Sequence, residues 1–197
     1  MKLYDFERSG NCYKVRLLLS LLGLRYETVP VDLSAGENFK AEFLKLNPRA
    51  QVPLLEDGNQ RVWDSMAILV YLARRYGEAY WLPVAPEPMA EIMQWLAVSE
   101  NEILHGLARA RSIKLFNRPG SVAESQEIGR GVLRLLDEHL SQRSWLALDH
   151  ITIADVACFP YIALAPEAGI PLQGYPGVDA WLARIQEVPG FIAMPGI

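Results

Sequence analysis

The chain has 197 residues, 51% of them hydrophobic, and 19 basic against 23 acidic residues give a formal net charge of −4. That length holds one large domain or two small ones with a real core, and the apolar fraction excludes intrinsic disorder. The acidic balance, with no basic stripe, argues against a nucleic-acid binder. In chain order, residues 2–6 alternate as a strand does, and residues 15–24 form a Leu-rich helix stopped by Gly23. Residues 25–33 read as a second strand, with Pro30 marking an edge or bulge. Residues 38–46 are a short helix ended by Asn47–Pro48. Residues 52–56 and 60–63 flank Asp57–Gly58–Asn59, a hairpin signal, and residues 65–76 form a helix closed by Gly77. The order strand, helix, strand, helix, strand, strand, helix implies a parallel first pair with a right-handed crossover.

The Pro-rich stretch 82–88 then reads as a stiff linker, and no strand signal follows it. Residues 89–116 and 122–142 are long amphipathic helices, 152–168 a third with Pro160 near its middle, and 178–187 a fourth. Two domains are expected, 1–80 mixed α/β and 81–197 all-helical. The first holds 11 Lys/Arg and 10 Asp/Glu, the second 8 and 13. Cys12 and Cys158 are too few and too far apart for a disulfide scaffold or a cysteine zinc site. His105, His139 and His150 make no ligand-spaced cluster, so no metal is expected, and the last two read as structural or surface residues. The opening MKLYDFERSG is charged and strand-like rather than a signal peptide, and no apolar run reaches the roughly 18 residues of a membrane span. A soluble, cytoplasmic, reduced protein is the expectation.

Residues able to carry chemistry fall at element ends. Ser9–Gly10–Asn11–Cys12 precedes the first helix, where unpaired amides and the positive dipole end could hold an incoming thiolate and a Ser hydroxyl could donate to it. A Cys at such a place would have a lowered pKa, and equally Ser9 or Asn11 could simply cap the helix. Gln51–Val52–Pro53 opens the third strand. An X–Pro bond there can be cis, and such a bend would leave the Val52 backbone free to pair with an extended peptide; a plain edge-strand proline is the alternative. Asp64–Ser65 starts the helix MAILVYL, either as caps or as a seat for a ligand carboxylate. His105 and Arg109, four apart, would share a helix face; they either orient a polar electrophile or pair with Glu100 and Glu102. Cys158, on an apolar helix, reads as a buried thiol.

Together these stretches resemble the cytosolic glutathione transferases. The resemblance lies in SGNCYKVRLLLSLLGLRYE, FKAEFLKLNPRAQVPLLEDG and VWDSMAILVYLARRYG, and in the second half in HITIADVACFPYIAL, with its Thr152–x–x–Asp155 capping box, and YPGVDAWLARIQEVPGF. It implies a thioredoxin-like βαβαββα domain followed by a helical domain. It also implies glutathione as cosubstrate, a homodimer, and a role in detoxification. The pattern is similar to a bacterial branch of the serine type or the disulfide-reductase type. By the same resemblance, Gln51, Val52 and Pro53 would pair with the cysteinyl backbone of glutathione, Asp64 and Ser65 with its γ-glutamyl end, and Lys40 with its glycine carboxylate. Ser9 would activate the thiol, with Asn11 and Cys12 as alternates and Tyr4 a weaker candidate. Ser9–x–Asn11 is similar to the Thr–x–Asn of glutathione-dependent disulfide reductases. Ser9–Gly10–Asn11 departs from the Ser–Ser–Cys of the maleylacetoacetate-isomerase branch, and Trp63 departs from the smaller or polar residue usual before the acid–Ser pair. The expected reaction is thiolate attack on an electrophilic small molecule. A disulfide or peroxide reductase, an isomerase and a non-catalytic binding protein are the alternatives.

Overall fold

Strand β1 (Lys2–Asp5) pairs on both edges and so sits inside a four-stranded sheet of order β2-β1-β3-β4. β2 (Glu27–Pro30) lies parallel to β1, while β3 (Leu54–Asp57) is antiparallel to β1 and to β4 (Gln60–Trp63). The computed structural model describes all 197 residues. The expected βαβαββα order holds, and the parallel first pair is joined through α1 (Gly10–Leu21). α1 begins five residues earlier than the apolar pattern places it, because Ser9 caps it: the Ser9 Oγ accepts the Cys12 N–H at 3.2 Å. β2 is shorter than expected. It is an edge strand, and Pro30, with no N–H to donate, is its last paired residue, opposite Asp5. The helix expected at 38–46 is split into a 3₁₀ turn (Glu37–Phe39) and α2 (Ala41–Leu44), with Lys40 in extended conformation between them.

α3 (Ser65–Tyr76) and the single turn α4 (Glu78–Trp81) follow, so the expected boundary after residue 80 falls within α4. Only 82–85 of the Pro-rich stretch is irregular. Pro86 and Pro88 lie in the first turn of α5 (Pro86–Val98), where a missing N–H costs nothing. The long helix expected over 89–116 is continuous but not uniform: Ser99–Ala108 winds as a π-helix before α6 (Arg109–Phe116). Gly106 in this stretch meets α7 (Val122–Leu140) almost backbone to backbone. A Cβ there would lie 2.6 Å from the Gly129 amide nitrogen.

α8 (Ile153–Ala163) is buried over nearly its whole length and stops before the expected end. Pro160 is tolerated inside it, and Leu164 still bonds the Pro160 carbonyl at 2.9 Å. α9 (Pro176–Gln186) starts on a proline. The Thr152–Asp155 capping box forms as read, and it does more than cap. Asp155 Oδ2 accepts the Thr152 N–H at 2.9 Å, and Oδ1 accepts the Leu146 N–H at 3.0 Å and the Trp181 Nε1–H at 2.9 Å. One carboxylate thus ties the α7–α8 connection to α8 and α9.

One apolar core runs from Leu3 in β1 through Leu17 and Leu18 of α1 to Phe159 of α8 and Trp181 of α9. The chain after α9 folds back on α1, where the Tyr13 hydroxyl donates to the Ile192 carbonyl at 2.5 Å and the Ser20 hydroxyl to Gly190 at 2.7 Å. No helix is long and apolar enough to cross a membrane.

Asp155→Ala leaves three buried N–H donors, and the more distant Thr152 hydroxyl, without this acceptor, at roughly 1–3 kcal/mol for each N–H. The expected loss is at least about 3 kcal/mol in urea unfolding, with Asp155→Asn, which keeps one acceptor oxygen, recovering part of it.

Candidate active site

Sheet register gathers the site. Tyr4 of β1 pairs with Leu54 of β3, and Leu54 with Trp63 of β4. The segments just beyond these positions, Phe6–Ser9, Val52–Pro53 and Asp64–Ser65, therefore emerge at one end of the sheet. β2 ends there too, since Pro30 pairs with Asp5, and carries Leu33 and Ser34 to the same end.

The Ser9 hydroxyl accepts the Cys12 amide, so its own proton is free for an acceptor outside the helix. Gly10 admits the ring of Tyr161 from α8, and a Cβ at this position would stand 2.7 Å from Tyr161 Cε1 and Cζ. Burial pushes the Tyr161 phenol up to about 12, against the opposing charge of the Arg111 guanidinium. It therefore keeps its proton at neutral pH. Ser9 and Tyr161 line a cavity of about 520 Å³ with Phe6, Leu33, Ala108 and Phe116. Arg8, Arg111 and Arg118 also border it.

Asn11 is half-buried at the same helix start, and its Oδ1 has no hydrogen-bond partner. Cys12 turns inward: it is fully buried, and its sulfur accepts the Phe6 N–H at 3.5 Å. Burial, reinforced by the Asp5 carboxylate, pushes its thiol up to about 12 despite the Phe6 N–H. The lowered pKa expected of a cysteine at a helix start is thus reversed, because this one faces the core. Tyr4 also lies outside the cavity, with its hydroxyl donating to Glu56 at 3.0 Å.

The Val52–Pro53 peptide bond is cis. The β3 ladder begins at Leu54, which leaves the Val52 N–H and C=O outside it. Two amides brace this corner: Asn38 Nδ2 donates to the Ala50 carbonyl at 2.7 Å and Asn47 Nδ2 to Gln51 at 2.8 Å. Asp64 takes a left-handed φ of 79°, unusual for a residue with a side chain. Its Oδ1 accepts the Met66 N–H at 3.0 Å and its Oδ2 the Arg49 guanidinium at 2.8 Å. Arg49 in turn stacks over Trp63, 5.5 Å from the ring centroid. Ser65 is buried at the α3 N-terminus with its hydroxyl unengaged by the chain. Lys40 is exposed and paired with Glu37 at 3.1 Å, away from the cavity lining.

His105 and Arg109 do line one cavity, but not the one that Ser9 lines. Theirs is a neighbour that meets it along Ala108, Ser112 and Tyr161. The Glu100 pairing weighed for them is absent: Glu100 approaches Lys14 at 3.8 Å, and Arg109 Nη2 donates to the Pro119 carbonyl at 2.6 Å. Arg111, which sequence reasoning missed, bridges the two halves. Its Nε donates to Glu167 at 2.5 Å and its Nη1 to the Arg8 carbonyl at 3.0 Å. Tyr161 was missed as well, since inside an apolar helix it reads as core. Lys14, fully buried on α1, donates to Ser99 Oγ at 3.2 Å and lies 5.5 Å over the Tyr161 ring. Burial lowers its pKa, with Glu100 opposing.

Residues 1–74 match the family model described as the glutathione S-transferase N-terminal domain, and residues 89–189 the corresponding C-terminal domain. The chain is 34% identical over 205 residues to glutathione S-transferase 3 of Zea mays, covering 97% of this chain and 91% of that one. A glutathione S-transferase structure from Pseudomonas fluorescens superposes with a TM-score of 0.90 at 36% identity, covering 98% of each chain. A glutathione transferase homologue from Drosophila mojavensis, solved with bound glutathione, gives 0.86 at 26% identity over 95% of this chain and 88% of that one. The chain belongs to the glutathione S-transferase family.

Two outcomes follow from the packing around α1. Neither Cys12 nor Cys158, both fully buried with raised pKa values, should react with an aromatic disulfide reagent at pH 8 until denaturant is added. Rapid labelling of one thiol in the native protein would contradict the inward orientation. Gly10→Ala forces a methyl into the Tyr161 ring and should cost about 1–3 kcal/mol in thermal or urea unfolding.

Proposed function

We propose that the protein transfers glutathione to electrophilic small molecules, with Ser9 as the residue that activates the thiol. One observation carries this reading. The Ser9 hydroxyl, its lone pair occupied by the Cys12 amide and its proton free, stands at the start of α1 on the wall of an open cavity.

Glutathione would lie extended across the sheet end. Its cysteinyl backbone would pair with Val52 after Gln51 and before Pro53, in the manner of an added strand. Its γ-glutamyl carboxylate would sit at the α3 N-terminus, near Asp64 and the free Ser65 hydroxyl, where unpaired amides favour an anion. The glycine end would point toward Lys40, which would exchange Glu37 for the ligand carboxylate. Asn11, at the same helix start, would offer the sulfur its side-chain Nδ2 donor.

The sulfur needs to be ionised near neutral pH. A free thiol has a pKa of about 8.5, and a hydroxyl donor plus the dipole of α1 lowering it by about two units corresponds to roughly 2.7 kcal/mol of thiolate stabilisation. The protein forms no covalent bond to the substrate in this scheme. It positions and ionises the cosubstrate, and the cavity beside Ser9 receives the electrophile, with His105 and Arg109 in the adjoining cavity. A disulfide reductase relying on Cys12 is disfavoured by that thiol's burial and raised pKa. By family resemblance the working unit would be a homodimer, which light scattering would check.

Ser9→Ala tests the assignment. Stabilising the thiolate lowers its pKa, so removing the donor should move the rising limb of the pH–rate profile upward by about 1–2 units, toward about 8.5. At pH 6.5 kcat/KM should fall roughly 5–50-fold, while the Kd for glutathione changes less than about threefold. An unshifted limb would remove Ser9 from the mechanism.

A further inference from the structure

The Ser9 cavity has a distinctive electrostatic lining. Three arginines, Arg8, Arg111 and Arg118, border it, and no Asp or Glu does. This occurs in a chain whose net charge is −4, so it is a local reversal of sign.

The three cations are not equivalent. Arg111 is buried and already satisfied by Glu167 and the Arg8 carbonyl. Arg8 and Arg118 are exposed and form no ion pair with any carboxylate of the chain. Arg8 is nevertheless preoriented, its guanidinium lying 5.3 Å from the centroid of the Phe116 ring. Arg118 sits on the loop after α6, where Asn117 takes a left-handed φ of 50° and Arg109 anchors Pro119. The rings of Phe6, Phe116 and Tyr161 line the same cavity, with Phe6 and Phe116 edge to face at 6.3 Å between centroids.

We propose that this cavity selects electrophiles that join a flat aromatic or conjugated reacting centre to a carboxylate, held by Arg8 and Arg118. The proposal rests on the transferase reading for its reaction, but not for its binding. A guanidinium fork matches a carboxylate in geometry and charge, and with two unneutralised forks at the cavity the anion would bring the pairing that they lack. The aromatic walls take the flat part and leave the reacting carbon on the Ser9 side.

A suitable pair of probes is 4-chloro-3,5-dinitrobenzoate and its methyl ester. With either, the glutathione thiolate forms a C–S bond at C4, the C–Cl bond breaks, chloride departs and the thiol proton goes to solvent. Rates are normalised to the uncatalysed reaction. Binding is read separately by calorimetry with 3,5-dinitrobenzoate and its methyl ester, which lack the leaving group. The acid should bind at least about tenfold more tightly than the ester, with a corresponding preference in normalised kcat/KM. The acid's advantage should shrink at least about fivefold in Arg118→Gln and in Arg8→Gln, both surface changes, and between 50 and 300 mM salt.

Equal binding of acid and ester, or a preference untouched by both substitutions, would overturn the proposal. So would a loss of glutathione affinity in the variants in place of a lost acid preference, since the arginines would then serve the tripeptide. If neither electrophile is turned over, the transferase reading fails, and the calorimetric comparison still decides what the cavity binds.

Discussion

The structure turns on the burial of α1 on two sides. One face packs on the sheet and α3, the other on α8, and Cys12, Tyr13, Val15, Leu17, Leu18 and Leu19 are all fully buried. A helix clamped in this way cannot present a side face to a ligand. What it can present is an end, and the sheet register brings that end out beside Val52–Pro53 and Asp64–Ser65. The same clamp explains why the first and second parts of the chain share one core. It also explains why the last residues return to α1, through Tyr13 and Ser20, rather than trail away.

Much of this was legible in the sequence, for identifiable reasons. Strands and helices with clean period-2 or helical patterns, such as 60–63 and 65–76, appear where expected, because their patterns follow directly from which face is buried. The Thr152–Asp155 box was readable because capping is local. The misplacements share a cause. α1 extends back to Gly10 because Ser9 caps it, and a polar run of Ser, Gly and Asn carries no apolar period to announce a helix. The π-helical turns at Ser99–Ala108 were invisible because Gly106 against Gly129 is a relation between two distant segments.

Site residues divide along the same line. Ser9, Val52–Pro53 and Asp64–Ser65 were legible as candidates because they sit at element ends, where a sequence marks unpaired backbone groups. Arg8, Arg111, Arg118 and Tyr161 were not, because only the packing of α8 and α6 against the α1 start makes them neighbours. His105 and Arg109 fell between. They do share one cavity wall, but which wall it is depends on the winding of the π-helical segment that contains His105 and precedes Arg109. Arg109 ends up holding the loop that carries Arg118, at one remove from the cavity beside Ser9.

The proposed activation of a thiol at Ser9 needs a positive potential at the α1 start that survives folding, and several separate features preserve it. A helix often neutralises its own positive end with an acid in the first turn, and α1 has none there. Asp5, the nearest acid on β1, is taken up by Arg16 at 2.5 Å. Cys12 and Tyr161, which as anions would oppose a thiolate, are both held neutral by burial. Lys14, one turn along, sits beneath the Tyr161 ring rather than in solvent, and Glu100 opposes the fall in its pKa. A single hydroxyl hydrogen bond is a modest interaction in water. At a helix end with no acid in its first turn, the proposed bond from Ser9 to the sulfur would act together with the α1 dipole in a medium less screening than water.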